Sequence, residues 1–87
     1  MFYVYILYSL KDQKLYVGCS QDLDERLKDH NQGRVDATKH RRPLVRIYTE
    51  EFLIPQDAYA REKNLKSLWS SRFKKKIKKQ YESRLKP

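Results

Sequence analysis

The chain has 87 residues, of which 20 are Lys or Arg and 11 are Asp or Glu, giving a net charge of +9 at pH 7. A chain this short buries only about 60 to 65% of its unfolded surface, which leaves a thin single core and excludes a large cofactor cavity. One cysteine excludes an intramolecular disulfide and a Cys-cluster zinc site and fits a reducing cytoplasm, while the excess positive charge points to a polyanionic partner, nucleic acid ahead of an anionic membrane.

The opening stretch "MFYVYILYSL" is apolar for barely ten residues and lacks a basic n-region and a small-residue cleavage site. It therefore reads as part of the fold and not as a signal peptide or membrane span. Its core, "FYVYILYS", is β-branched and aromatic; "KDQ" interrupts before a second such run, "KLYVGCS", and together they predict a β-hairpin over the first nineteen or so residues. Strand one is hydrophobic on both faces, as in a central strand covered on each side. A two-residue turn at Lys11 and Asp12 would pair Tyr5 with Gly18 and set Tyr16 diagonally beside Tyr5 on one face. Gly18 weakens a strand interior, so either something approaches the backbone there, the Tyr5 ring or a phosphate, or the strand carries a bulge.

Next, "DLDERLKDHNQG" combines Asp22 and Glu25 as a capping-box variant, Leu23 and Leu27 at helical spacing, and Gly33 just past the end, which predicts a helix. A basic loop, "GRVDATKHRRP", leads through Pro43 into "LVRIYTEEF", where Val45, Ile47 and Thr49 alternate with Arg46 and Tyr48 as in a third strand. Pro55 opens a second helix that runs to about Leu68 or Trp69. Ser70 or Ser71 can cap a third helix, with Phe73, Ile77 and Tyr81 every four residues and lysines on the other face. The order β-β-α-β-α-α predicts a mixed α/β (α+β) domain, a small three-stranded sheet flanked by helices. It spans residues 1–87 as a single unit, with only "SRLKP" fraying.

Several residues carry chemistry beyond packing. Arg26 and His30 are four apart and so share a helix face bordering the Leu23 and Leu27 stripe; a surface arginine beside a histidine satisfied by backbone is the plainer reading. In the second helix Ile54, Ala58, Leu65 and Trp69 trace an inward stripe in which Glu62 takes a core-facing place. A carboxylate there needs a cation: Lys66, Arg26, or a metal ion, which for a single carboxylate points to magnesium with most of its waters kept. Six of the eight residues from Arg72 to Lys79 are Lys or Arg, and the loop adds Lys39, His40, Arg41 and Arg42. Each cluster is a solvated face or, if both flank one site, a groove that tracks phosphates, and the seven tyrosines suit stacking on bases.

Taken together, Tyr3-Val4-Tyr5, Tyr16-Val17-Gly18, Arg26, His30 with Asn31 beside it, and Glu62 within "AYAREKNLK" resemble the motifs of the GIY-YIG nuclease family in order and spacing. The likeness covers nearly the whole chain, and its nearest form is the group of small single-domain bacterial proteins. The resemblance implies phosphodiester hydrolysis in DNA, in repair or processing, with Tyr5, Tyr16, Arg26, His30 and Glu62 catalytic and Mg2+ (or Mn2+) held by Glu62. It assigns Tyr16, supported by Tyr5, to the attacking water, Arg26 to the phosphoryl oxygens, and the metal to the leaving 3′ oxygen. Candidate backbone contacts are Lys39, Arg41, Arg42, Lys66, Lys74, Lys75 and Lys78. Tyr3 replaces the family's first glycine, Cys19 stands where some members carry a lysine, and no Asn follows Asn64. With no residues left for a separate recognition domain, cleavage is structure-selective or nonspecific on branched, nicked or single-stranded DNA, with RNA as a competitor and a protein partner as a source of specificity. The alternative is a nucleic-acid-binding module with little or no catalysis of its own.

Overall fold

The computed structural model describes residues 1–85. Three strands, β1 (Phe2–Ser9), β2 (Leu15–Ser20) and β3 (Leu44–Phe52), form one antiparallel sheet in the order β2-β1-β3. The doubly apolar strand is thus the central one. Helix α1 (Leu23–Asn31) lies between β2 and β3 in the chain, and α2 (Pro55–Lys66), a 3-10 turn (Leu68–Ser70) and α3 (Ser71–Arg84) follow β3. Each face of the sheet carries its own core. Val4, Ile6 and Val17 pack with Ala58, Leu65 and Phe73 on the α2 and α3 side, and Tyr5, Leu7 and Leu44 pack with Tyr16, Leu23 and Leu27 on the α1 side. The α+β class and element order agree with the sequence reading. Among the described residues no helix is long and apolar enough to cross a membrane.

The hairpin register also agrees, since Tyr5 pairs with Gly18 and Leu7 with Tyr16. The loop that sets it does not. Five residues separate the strands rather than a two-residue turn, because the Ser9 hydroxyl accepts from the Lys11 and Asp12 amides, Asp12 Oδ1 accepts from the Lys14 amide, and Gln13 takes a left-handed φ of 59°. In β3 the strict alternation fails at Ile47. A register shift between Ile6 and Leu7 leaves Ile47 as the extra residue of a bulge, so Ile47 and Tyr48 both pack toward the α2 side.

The helix ends show similar local logic. Asp22 Oδ1 accepts the Glu25 amide at 3.0 Å, as the capping box requires, but the reciprocal bond to the Asp22 amide comes from Ser20 Oγ at 3.0 Å instead of Glu25. Gly33, at φ 78°, closes α1 with its amide on the His30 carbonyl. Helix α2 stops at Lys66, short of the predicted Leu68 or Trp69, because Ser67 turns extended and the Ser67 and Ser70 hydroxyls fold back onto the Asn64 carbonyl. Trp69, predicted inward, is consequently exposed, as is Ile54 at the other end of the helix. Ser70 occupies the N-cap position of α3 without capping it, its hydroxyl being spent on Asn64. Helix α3 takes in Ser83 and Arg84 and is anchored by the Tyr8 hydroxyl donating to Glu82 at 2.7 Å. Of the tail predicted to fray, Lys86 and Pro87 lie outside the described residues.

Candidate active site

Four of the five residues singled out as catalytic converge on the α1 side of the hairpin. Tyr5 projects from the central strand across Gly18. A Cβ on Gly18 would lie 2.8 Å from Tyr5 Cε2, with the hydroxyl and Cζ nearer still, so the glycine is what admits the ring. The approach suggested by Gly18 is therefore that of Tyr5. His30, in the last turn of α1, has no solvent exposure. Its Nε2 lies 2.9 Å from the Tyr5 hydroxyl, and the Tyr16 ring meets its ring edge-on at a centroid distance of 5.0 Å.

The second imidazole nitrogen fixes the polarity of this arrangement. His30 Nδ1 lies 2.7 Å from Thr38 Oγ1, and the Thr38 hydroxyl donates to the Val35 carbonyl at 3.4 Å. A hydroxyl that gives its proton to a carbonyl must accept from Nδ1–H, so Nε2 keeps its lone pair and accepts from the Tyr5 hydroxyl. Burial pushes the Tyr5 phenol up to about 12, against the pull of the Arg26 guanidinium beside it. Burial also holds His30 down at about 4, with the Arg26 charge adding to the effect. Arg26 is held in its charged form by Tyr5 and lies within electrostatic reach of Tyr16 as well. Tyr16 is half-buried, and among the described residues its hydroxyl has no protein hydrogen-bond partner.

Glu62 approaches the cluster from α2. It is only partly buried, with its side chain 24% exposed, and Lys66 Nζ lies 3.3 Å from its Oε2. Of the cations weighed for it, Lys66 is the protein partner, while Arg26 belongs to Tyr5. The Glu62 charge still reaches Tyr5 and adds to the burial that raises the Cys19 thiol. No group of three His, Cys, Asp or Glu side chains gathers to hold a metal among the described residues. A lone carboxylate with a free oxygen fits a hard cation that keeps most of its waters, as magnesium and manganese do, and does not fit zinc.

The basic residues do not form one groove. Lys39 and Arg42 line an open cleft of about 460 Å³ with Lys11, Asn31, His40 and Pro43, whereas Lys74, Lys75 and Lys78 ride on α3 against the opposite face of the sheet. Lys66 is engaged with Glu62, and Arg42 donates to the Lys39 carbonyl. Arg41 is turned inward, its Nε 2.7 Å from Asp12 Oδ2 and its Nη2 3.3 Å from the Leu15 carbonyl, so it fastens the loop to the hairpin. Asn31 likewise bridges to β3, donating to the Leu44 carbonyl at 2.9 Å and accepting its amide at 2.8 Å.

Thr38 is the residue that sequence reasoning missed. It is fully buried in the loop after α1, and nothing in "VDATKH" marks it out, because its role depends on the loop folding back over His30.

Residues 1–83 match the family model described as the GIY-YIG catalytic domain. The chain is 39% identical over 66 residues to a UPF0213 protein of Staphylococcus haemolyticus, covering 75% of this chain and 79% of that one. It is 41% identical over 69 residues to a UPF0213 protein of Clostridium perfringens, covering 78% and 73%. It also resembles the solution NMR structure of a UPF0213 protein from Bacillus halodurans, with 35% identity and a TM-score of 0.53 over 88% of this chain and 82% of that one. A domain match over nearly all of its length, relatives of similar size and a shared fold agree: the chain belongs to the GIY-YIG family of nuclease-type domains.

Proposed function

We propose that this protein is a magnesium-dependent endonuclease that hydrolyses DNA phosphodiester bonds, structure-selective or nonspecific in its choice of site, in repair or processing. The observation that carries the reading is the convergence of Tyr5, Tyr16, Arg26 and His30 on one face of the hairpin in a GIY-YIG chain. With Tyr5 near 12 and His30 near 4, moving the phenol proton onto the imidazole runs steeply uphill. Tyr5 and His30 therefore act as a fixed pair that shapes the site. Tyr16 is the phenol that relays the proton of the attacking water: its oxygen takes that proton as its own hydroxyl proton passes to bulk water. Arg26, within reach of both phenols, answers the charge that develops there and on the phosphoryl oxygens. Glu62 would hold magnesium, or manganese in its place, and the ion supplies Lewis-acid stabilisation of the leaving 3′ oxygen.

One observation favours a second reading, a nucleic-acid-binding module with little catalysis of its own: the Glu62 carboxylate is already answered by Lys66. Incubation with labelled duplex, nicked, branched and single-stranded DNA and with RNA, in magnesium, manganese or chelator, separates the two. Metal-dependent cleavage of DNA supports the endonuclease; binding without cleavage under any condition supports the module.

A further inference from the structure

At the junction of α2 and α3 two large apolar side chains stand in solvent: Leu68 is 91% and Trp69 93% exposed. Their backbone is not loose. Ser70, buried, donates from Oγ to the Asn64 carbonyl at 2.9 Å, and Ser71 Oγ donates to the Leu68 carbonyl at 2.6 Å. The turn is pinned on its inner side while its indole faces water, an arrangement with no benefit to the core. The surroundings are uniformly positive: from Lys63 to Lys79 the chain has eight Lys or Arg and no Asp or Glu. A second copy pairing here would bring the same charge against itself, whereas a polyanion is attracted. The elbow directly follows α2, the helix that carries Glu62. A polyanion that offers flat apolar faces is a nucleic acid with unstacked bases.

We propose that the Leu68–Trp69 elbow is a stacking platform for an unpaired nucleobase, so that nucleic acid with single-stranded or locally unpaired nucleotides is the preferred substrate class. The proposal rests on the nucleic-acid reading of the site above. Bases inside an uninterrupted duplex have no free face, whereas an unpaired base can lie on the indole while the flanking Lys and Arg hold its phosphates. Leu68 beside it adds an apolar edge at a fork or strand break.

Trp69 is the only tryptophan in the chain, so its fluorescence reports on the elbow directly. The full chain, as wild type, Trp69→Ala and Trp69→Phe, is titrated at low salt with single-stranded DNA, single-stranded RNA, an uninterrupted duplex, and vesicles containing anionic lipid. The platform requires indole quenching by a single strand, and the DNA and RNA arms tell which backbone is preferred. It requires Trp69→Ala to weaken single-strand binding by about tenfold, with duplex affinity changed by less than about twofold and Trp69→Phe retaining most of the affinity. All three proteins should melt together, because the side chain lies in solvent. Unchanged single-strand affinity in Trp69→Ala overturns the proposal, as does an equal loss on duplex. A response to vesicles alone, or a dimer lost in Trp69→Ala, overturns it in favour of a membrane or a second copy. DNA cleavage by a protein whose strand binding ignores Trp69 removes the platform and leaves the endonuclease reading; Trp69-dependent binding without cleavage in any metal does the reverse.

Discussion

Thr38 controls the site without touching any group expected to meet the substrate. Its hydroxyl accepts the Nδ1 proton of a fully buried His30, and that bond leaves Nε2 unprotonated to accept from Tyr5. Thr38→Val keeps the shape and removes the acceptor, leaving a buried N–H unpaired. It should cost about 1 to 3 kcal/mol in denaturant titrations, with Thr38→Ser recovering most of it. His30 also sets a pH window. Its folded value near 4 lies below the ordinary 6.5, so between these limits the unfolded chain binds more protons and stability rises with pH. Melting temperature should therefore fall as the pH drops from about 6.5 towards 4, and the fall should flatten in His30→Gln even if that variant melts lower throughout. The Asp12–Arg41 pair acts in a separate window: Arg41 holds Asp12 at about 2, so this contribution is lost only below the ordinary carboxylate value of 3.8. At Tyr16, Tyr→Phe removes only a hydroxyl that has no protein partner. Single-turnover cleavage should slow by about 10² or more with DNA affinity near wild type. A Phe variant that cuts normally would clear Tyr16. That Tyr5 lies near Tyr16, and Arg26 near His30, was legible because hairpin pairing and helical spacing are local rules. Thr38 was not, because its place depends on a loop path that no periodicity encodes.

Among the elements, α2 departs most from its pattern. The inward stripe predicted Ile54, Ala58, Leu65 and Trp69, but only Ala58 and Leu65 are buried: Ile54 sits at the N-cap, ahead of the first turn, and the helix ends at Lys66, where Ser67 redirects the chain before Trp69. Hydrophobic spacing located the helix; the serine hydroxyls that end it compete with the backbone in a way that spacing does not register. The β3 bulge at Ile47 is another such case, visible only once β1 is laid beside it. Helix α3 follows its pattern, with Phe73 and Tyr81 packed against the aromatic side chains of the sheet and lysines left over. Replacing Lys74, Lys75 and Lys78 with Ala should weaken binding of all DNA sequences about equally. The log-log salt slope on duplex should shrink by roughly 0.9 for each phosphate contact removed. Filter binding across several salt concentrations checks this, and a loss confined to one sequence would mean that α3 reads bases.

On the scale of the whole molecule, a net charge of +9 on a thin two-sided core leaves most of the chain's chemistry on its surface. The charge was legible from composition and its distribution was not: the loop cluster and the α3 cluster stand apart, and Arg41 is consumed in holding the loop. Glu62 is where the two readings of the molecule part, because its carboxylate serves either a metal or Lys66. As an ion-pair partner that is partly exposed, it contributes at most about 1 kcal/mol, so its loss should move stability little and leave function intact. As the metal holder it is indispensable to the chemistry. The most direct test compares wild type and Glu62→Gln for cleavage of the same labelled DNA in magnesium and in chelator, with DNA binding measured on both. The account predicts magnesium-dependent cleavage by wild type, none by Glu62→Gln, and DNA affinity in the variant equal to or above wild type, since one negative charge has left a basic site. A Glu62→Gln protein that still cuts in magnesium, or a wild type that binds every substrate and cuts none, would contradict it.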